Sequence, residues 1–422
     1  ERLLESCPGL TVLATSREPL GIDGEVTWRM PSLTVAAEPS LAAVTASEAG
    51  RIFVDRATRV RPNFRLSGAN VEAVATICER LDGIPLAIEL AAARVRVMSP
   101  QQIVTGLEDR FRLLTGGARS ALPRQRTLEA SVDWSHDLLT DQERIVLRRL
   151  GGFAGTFTLD GDEAVAGGRG IDDHAVLDLL TGLVDRSLVQ VRDDGPHARY
   201  RLLETIRDYA RRRLVDAGEA AEVSDAHLEF YASLAADAAP DLVGPHGDDS
   251  LRRLDVELDD LRRAMDWALR TANPERGLRL TSDLHWYWRA RSPGEGRTRL
   301  DAALTHADGN ELDRGHALVS LTGIALMTGD VHAAATSATE ALDIGRRLDD
   351  NQLVGQALSF LGWLGVLGGH DPDEAPALFT EAVNFTRAAG DHPYTALALT
   401  GLGFARAGTS GSRWHGRRWR KA

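Results

Sequence analysis

The apolar positions of this chain change period as it is read. Near its start, "LTVLAT" (residues 10–15) is apolar and β-branched on both faces and is followed by the Pro and Gly of "EPLGIDGE". That pattern predicts a strand of a parallel sheet covered by helices, then a loop. From residue 46 the spacing becomes helical, with Ile52, Phe53, Ala57 and Val60 on one face and "RPNF" ending the run. "NVEAVATICERLDGIPLAIELAAARVRVM" then predicts two helices broken at Gly83 and Pro85.

Between Thr127 and Leu214 the pattern is short helices, the apolar run "SLVQV", the turn "RDDGPHA" and the helical "RYRLLETIRDYARRRL". Helices, a two-stranded ribbon and one more helix make the outline of a winged helix. Residues 215–300 read as helical, with Trp267, Trp286 and Trp288 as core aromatics. In 314–408 the chain repeats itself: "ALVSLTGIALMTGD" from Ala317, "ALSFLGWLGVLGGHD" from Ala357 and "ALALTGLGFARAG" from Ala396. Small residues recur where helices approach closely, as at Gly362 and Gly401, and Gly329, Gly369 and Gly408 are expected to close the first helix of each unit. The period points to a tetratricopeptide-like solenoid. After Gly408, "TSGSRWHGRRWRKA" breaks the repeat in mid-unit and reads as an aberrant or disordered tail.

Composition narrows the classes. The chain has 422 residues, 43% of them hydrophobic, which supports several globular domains. Two cysteines, Cys7 and Cys78, give neither a disulfide framework nor metal-ligand spacing. No apolar run is long enough to span a bilayer, so a cytoplasmic protein without membrane contact is expected. A net charge of −12 with mixed signs argues against a molecule-wide nucleic-acid surface. Lys421 is the one lysine, so the chain holds no Walker A loop, which needs one.

No catalytic triad, nucleophile pair or metal cluster emerges. Three stretches carry phosphate-compatible chemistry. At the end of the expected strand, Thr15 and Ser16 supply hydroxyls and Arg17 a guanidinium, where α/β sheets hold ligands. Gly83 permits a sharp bend and Pro85 offers a flat face to a ring, although a plain helix-capping turn explains them equally well. Glu204 opens the last winged-helix helix, where a solvated charge is the simpler reading.

Together these stretches resemble the STAND class of signal-transduction ATPases, in particular the NB-ARC-type regulators of actinobacteria often described as LuxR-family or SARP-family regulators. "VLATSREPLG", "ICERLDGIPLAIELAAARV", "DRFRLLTGGARSALPRQRTLEASVDWSHDLL" and "YRLLETIRDYA" carry the resemblance. It implies a mainly α fold: the end of a P-loop α/β domain (1–35), a small helical domain (36–125), a winged helix (126–215), a helical spacer (216–313), tetratricopeptide-like repeats (314–408) and the tail (409–422). By motif, Arg17 would sense a γ-phosphate beside Thr15 and Ser16, Pro85 would contact adenine with Gly83 as the bend, and Glu204 would stand for the aspartate of the Met-His-Asp motif. Leu203 replaces that motif's histidine.

The resemblance further implies a nucleotide-dependent switch of a transcriptional regulator, with ADP/ATP and Mg bound by the full-length protein. A protein or small-molecule inducer would act at the repeats, DNA would be bound only by an effector domain absent here, and nucleotide-dependent self-association would follow. Lacking both Walker motifs, this chain is expected to be the C-terminal portion of a longer regulator that neither hydrolyses ATP nor binds it tightly. The alternatives are a non-enzymatic winged-helix and repeat scaffold for protein partners, and direct DNA binding by the winged helix. The latter is disfavoured by "DDHAVLDLLTGLVDRSL", which is acidic with Arg186 its one basic residue.

Overall fold

The computed structural model describes residues 6–7, 9–16, 19–28, 30–107, 113–114, 128–192, 197–271, 274–306, 310–367 and 374–418. It is mainly helical and forms two compact units, Glu1–Val223 and Ser224–Ala422.

In the first unit, α1 (Leu41–Ala46) and α2 (Glu48–Val60) start on serines. The side chains of Ser40 and Ser47 accept from Ala43 N and Gly50 N, satisfying amides that lack a helical partner. Of the face of α2 read from the sequence, Phe53 and Ala57 are wholly buried and Ile52 and Val60 half-buried; the helix packs against α4 (Pro85–Ala93). Next come α3 (Val71–Arg80) and α5 (Pro100–Gly106), the latter opened by the Ser99/Gln102 capping box.

The expected strand at residues 10–15 does not form. That segment has no regular secondary structure and joins no ladder, with Leu13 98% exposed, and the described residues hold one sheet, of two strands elsewhere. A strand draws its stability from a neighbouring ladder and a covering layer, and none of the described residues supplies either.

The winged helix follows. It comprises α6 (Leu128–Asp137), α7 (Asp141–Leu150), α8 (Leu159–Ala166), α9 (Asp173–Asp185), the antiparallel ribbon β1 (Gln190–Arg192) and β2 (Arg199–Arg201), and α10 (Glu204–Asp216). Val191 pairs with Tyr200, and a bridge from Phe157 to Tyr200 ties the ribbon to the α7–α8 connection. Phe157 stacks on Phe153 at 4.5 Å, and both are fully buried. Buried Arg149 donates to the carbonyls of Ala166, Gly168 and Arg169 and to Glu219 (3.1 Å). It thereby satisfies the free end of α8.

The second unit contains most of α11 (Ala220–Ala238), then α12 (Gly247–Arg270), α13 (Pro274–Asp283), α14 (His285–Arg291) and α15 (Pro293–His306). A solenoid of α16 (Glu311–Met327), α17 (Val331–Leu348), α18 (Asn351–Val366), α19 (Ala375–Ala388) and α20 (His392–Arg418) completes it, each helix packed on the next. The Phe379 ring lies between Gly362 and Gly401, where an added Cβ would come within 2.7 and 2.3 Å of it. Gly329 follows α16 at φ 80°, as a closing glycine should. Gly369 lies outside the described residues. Gly408 ends nothing: the backbone of α20 stays helical to Arg418, so the expected break there is not seen. A single glycine costs a helix only about 1 kcal/mol, which the flanking Ala405 and Ala407 help offset.

Candidate functional site

The helix α3 ends in a turn with two consecutive left-handed residues, Asp82 (φ 52°) and Gly83 (φ 64°). Gly83 N donates to Cys78 O at 3.1 Å, and Leu33 N donates to Gly83 O at 3.0 Å. A Cβ on Gly83 would stand 2.1 Å from Leu33 O, so both backbone shape and space demand glycine. Pro85 then starts α4, where no N–H is required, and its ring is exposed.

This turn aims the Asp82 side chain at the first turn of α10. Its Oδ2 accepts from Glu204 N at 2.6 Å, and its Oδ1 lies 3.7 Å from Arg201 Nη2. Leu203, the residue before α10, has no side chain able to cap that helix. Asp82 therefore caps it from 122 residues away, with a carboxylate placed at the positive end of the helix dipole. Arg201 is itself held by Gln190 Oε1 across the ribbon at 3.1 Å. Burial pushes the Asp82 carboxyl up to about 6, against the pull of Arg201 and the backbone amides of Glu204 and Thr205.

Of the residues singled out from the sequence, Gly83, Pro85 and Glu204 thus converge on one region, with Asp82 as the link. The half-buried Glu204 side chain pairs with Arg207, one turn on, which also donates to Ala154 O. Thr15 and Ser16 are exposed in a segment without regular structure, and Arg17 lies outside the described residues. The sequence reading passed over Asp82. "DG" after a helix signals a turn, but its partner is set by tertiary packing and leaves no local trace.

The solvent face of α9, which a helix-turn-helix protein would turn to DNA, presents Asp172, His174, Asp178 and Asp185. Arg186, the cation at its end, is engaged with Glu143 Oε1 at 2.8 Å and with Gly182 O. That face repels phosphate rather than attracting it.

Residues 139–215 match the winged helix-turn-helix domain family. Over 402 residues the chain is 42% identical to a Mycobacterium tuberculosis protein named as an HTH-type transcriptional regulator, covering 92% of this chain and 44% of that protein. It is 26% identical to the regulatory protein AfsR of Streptomyces griseus, covering 95% of this chain and 41% of that one. The chain thus spans less than half the length of these curated relatives. A solved signal transduction ATPase with numerous domains and a tetratricopeptide repeat sensor, from Pyrococcus horikoshii, overlies 85% of this chain and 54% of its own length. Its TM-score of 0.34 at 12% identity is too slight to build on. No helix among the described residues is long and apolar enough to cross a membrane, and none of their His, Cys, Asp or Glu side chains cluster as metal ligands.

Proposed function

We propose that this chain is the regulatory portion of a transcriptional regulator, a nucleotide-dependent switch in which the winged helix is a movable arm and the repeats a sensor arm. The observation that carries this reading is the Asp82 cap on α10. It joins the Gly-x-Pro turn to the winged helix through a charge, a helix end and Arg201, contacts that can be made or broken as a set. The named relatives supply the regulatory context.

ADP or ATP fits only one side of the site. The exposed Pro85 ring and the bend at Gly83 suit the face of a purine. The first turn of α10, otherwise a natural phosphate site, is filled by a carboxylate, and Glu204 is paired with Arg207. Phosphate contacts therefore fall to Thr15, Ser16, Arg17 and groups outside this chain, and the chain alone should neither bind nucleotide tightly nor turn over ATP. Hydrogen exchange on the intact regulator tests the switch. ADP and ATP should protect the first turn of α10 to different degrees, and equal protection by both would overturn the reading.

Direct DNA reading by this winged helix is the competing proposal, favoured by the domain match over 139–215 and opposed by the acidic face of α9. Fluorescence anisotropy with duplex DNA at low salt separates the two. Binding that weakens when Arg192 is changed to Ala would favour DNA reading, and no binding by the chain would favour the arm.

A further inference from the structure

Within the second unit, arginines are met by acids: Arg262 by Glu295, Arg279 by Asp313, Arg297 by Asp330 and Arg314 by Glu340. Arg289 on α14 is different. It has no ion pair among the described residues, and its Nη1 is buried without a hydrogen-bond partner. Its guanidinium lies over the Trp286 ring at 4.3 Å, and its Nε reaches only the Met327 thioether, at 3.4 Å. Sulfur of that kind is a weak acceptor on a side chain that moves easily. Burial lowers the Arg289 pKa, and the Tyr394 hydroxyl is the one group acting to raise it. A half-buried cation without a counter-charge is costly to keep, in a molecule with carboxylates to spare.

The surroundings define what is missing. Gly323 on α16 lets the guanidinium pack closely against the helix; a Cβ there would press at 3.4 Å on Nη1 and at 3.0 Å on Phe360 Cζ. Trp286 is half-buried and packs at 5.8 Å on the buried Tyr394, which Phe360, also buried, meets at 5.8 Å; the accessible apolar surface here is Trp286 and Met327, the latter 55% exposed. The neighbouring His285 is half-buried, with its pKa pushed down to about 3 by desolvation and by Arg289, and stays neutral. One cation is therefore available, which matches a monoanion; a phosphate dianion would keep an unmatched charge.

We propose that the Trp286–Arg289–Gly323 corner binds a ligand carrying one carboxylate beside an apolar body. The carboxylate displaces the Met327 thioether from Arg289, and the apolar part lies along Trp286 in the place Met327 leaves. This deepens the reading of the repeats as a sensor arm and rests on it for its purpose, while its test involves neither nucleotide nor Asp82.

Titration calorimetry on the full chain decides it, using dodecanoate and 3-phenylpropionate against their methyl esters, and N-acetyl-Leu-Phe against its amide. At least one acid should bind saturably and about tenfold or more tighter than its neutral counterpart, the worth of one charged hydrogen-bonded contact. Arg289→Gln should lose that preference, Arg289→Lys should keep part of it, and Gly323→Leu should weaken binding by pushing the guanidinium out of place. Binding by the free acids or by the peptide identifies which source of carboxylate the site takes. Without ligand, Arg289→Gln should also melt higher than the wild type, because an unpaired buried charge has been removed. Neutral probes matching the acids, unchanged binding in Arg289→Gln, or no binding by any probe would each overturn the proposal. Should Arg289→Gln not fold, the acid and neutral pairs on the wild type decide the matter alone.

Discussion

Asp162 on α8 is wholly buried, and neither of its carboxyl oxygens has a hydrogen-bond partner among the described residues. Burial, with a smaller push from Glu163, raises its pKa to about 8. The folded state thus holds this proton more tightly than the unfolded chain. Its contribution to stability is complete below the ordinary value of 3.8 and is lost as pH rises toward 8. Asp162→Asn keeps the shape but cannot ionise. At about 1.4 kcal/mol per pKa unit, even half of the shift predicts a gain of roughly 2 kcal/mol or more near pH 8. Thermal melts of both proteins should converge only as pH is lowered to about 4 and below, and a gap that does not change with pH would sink this account. Gly83 makes the opposite prediction. Gly83→Ala adds a methyl against Leu33 O in a left-handed turn and should cost about 1–3 kcal/mol in denaturant titrations. The sequence flagged Gly83 because a Gly-x-Pro break is local; Asp162 carried no flag, because burial is a property of the fold.

At the scale of elements, two helix ends are completed from elsewhere in the chain. Asp82 caps the start of α10, and Arg149 satisfies the carbonyls at the end of α8. Asp82→Ala should cost about 1 kcal/mol, as loss of a helix cap does, and should speed amide exchange at Glu204. Asp82→Asn can still cap through its amide oxygen and removes a buried charge, so exchange at Glu204 should stay close to wild type; exchange in Asp82→Ala equal to wild type would remove the cap from the account. Arg149→Met would strand three carbonyls, while Glu219 keeps Arg148, with an expected loss of about 3 kcal/mol by urea denaturation. The helices themselves were legible, since apolar spacing in α2, α4 and α10 is local information. The partners of their ends were not, because Asp82 and Glu204 are 122 positions apart.

At the scale of the whole molecule, the chain is two compact units, the second ending in stacked helices that touch mainly their neighbours. Gly401→Val forces a side chain onto the Phe379 ring and should destabilise by about 1–3 kcal/mol. Differential scanning calorimetry should place that loss in the transition of the second unit and leave that of the first unmoved; a shift in both would show them to be one cooperative body.

The amino-acid order alone determined the helical periods, the winged-helix outline, the repeats and the close-approach glycines, because each follows from residues within a few turns of one another. The tertiary structure decided which expected pieces became real and which residues matter. Among the described residues it left 10–15 without a strand to pair with, turned Asp82 from a turn residue into the cap of a distant helix, and left Arg289 without an acid. Ladders, caps and counter-charges all need partners brought from afar, and only the packed chain selects them.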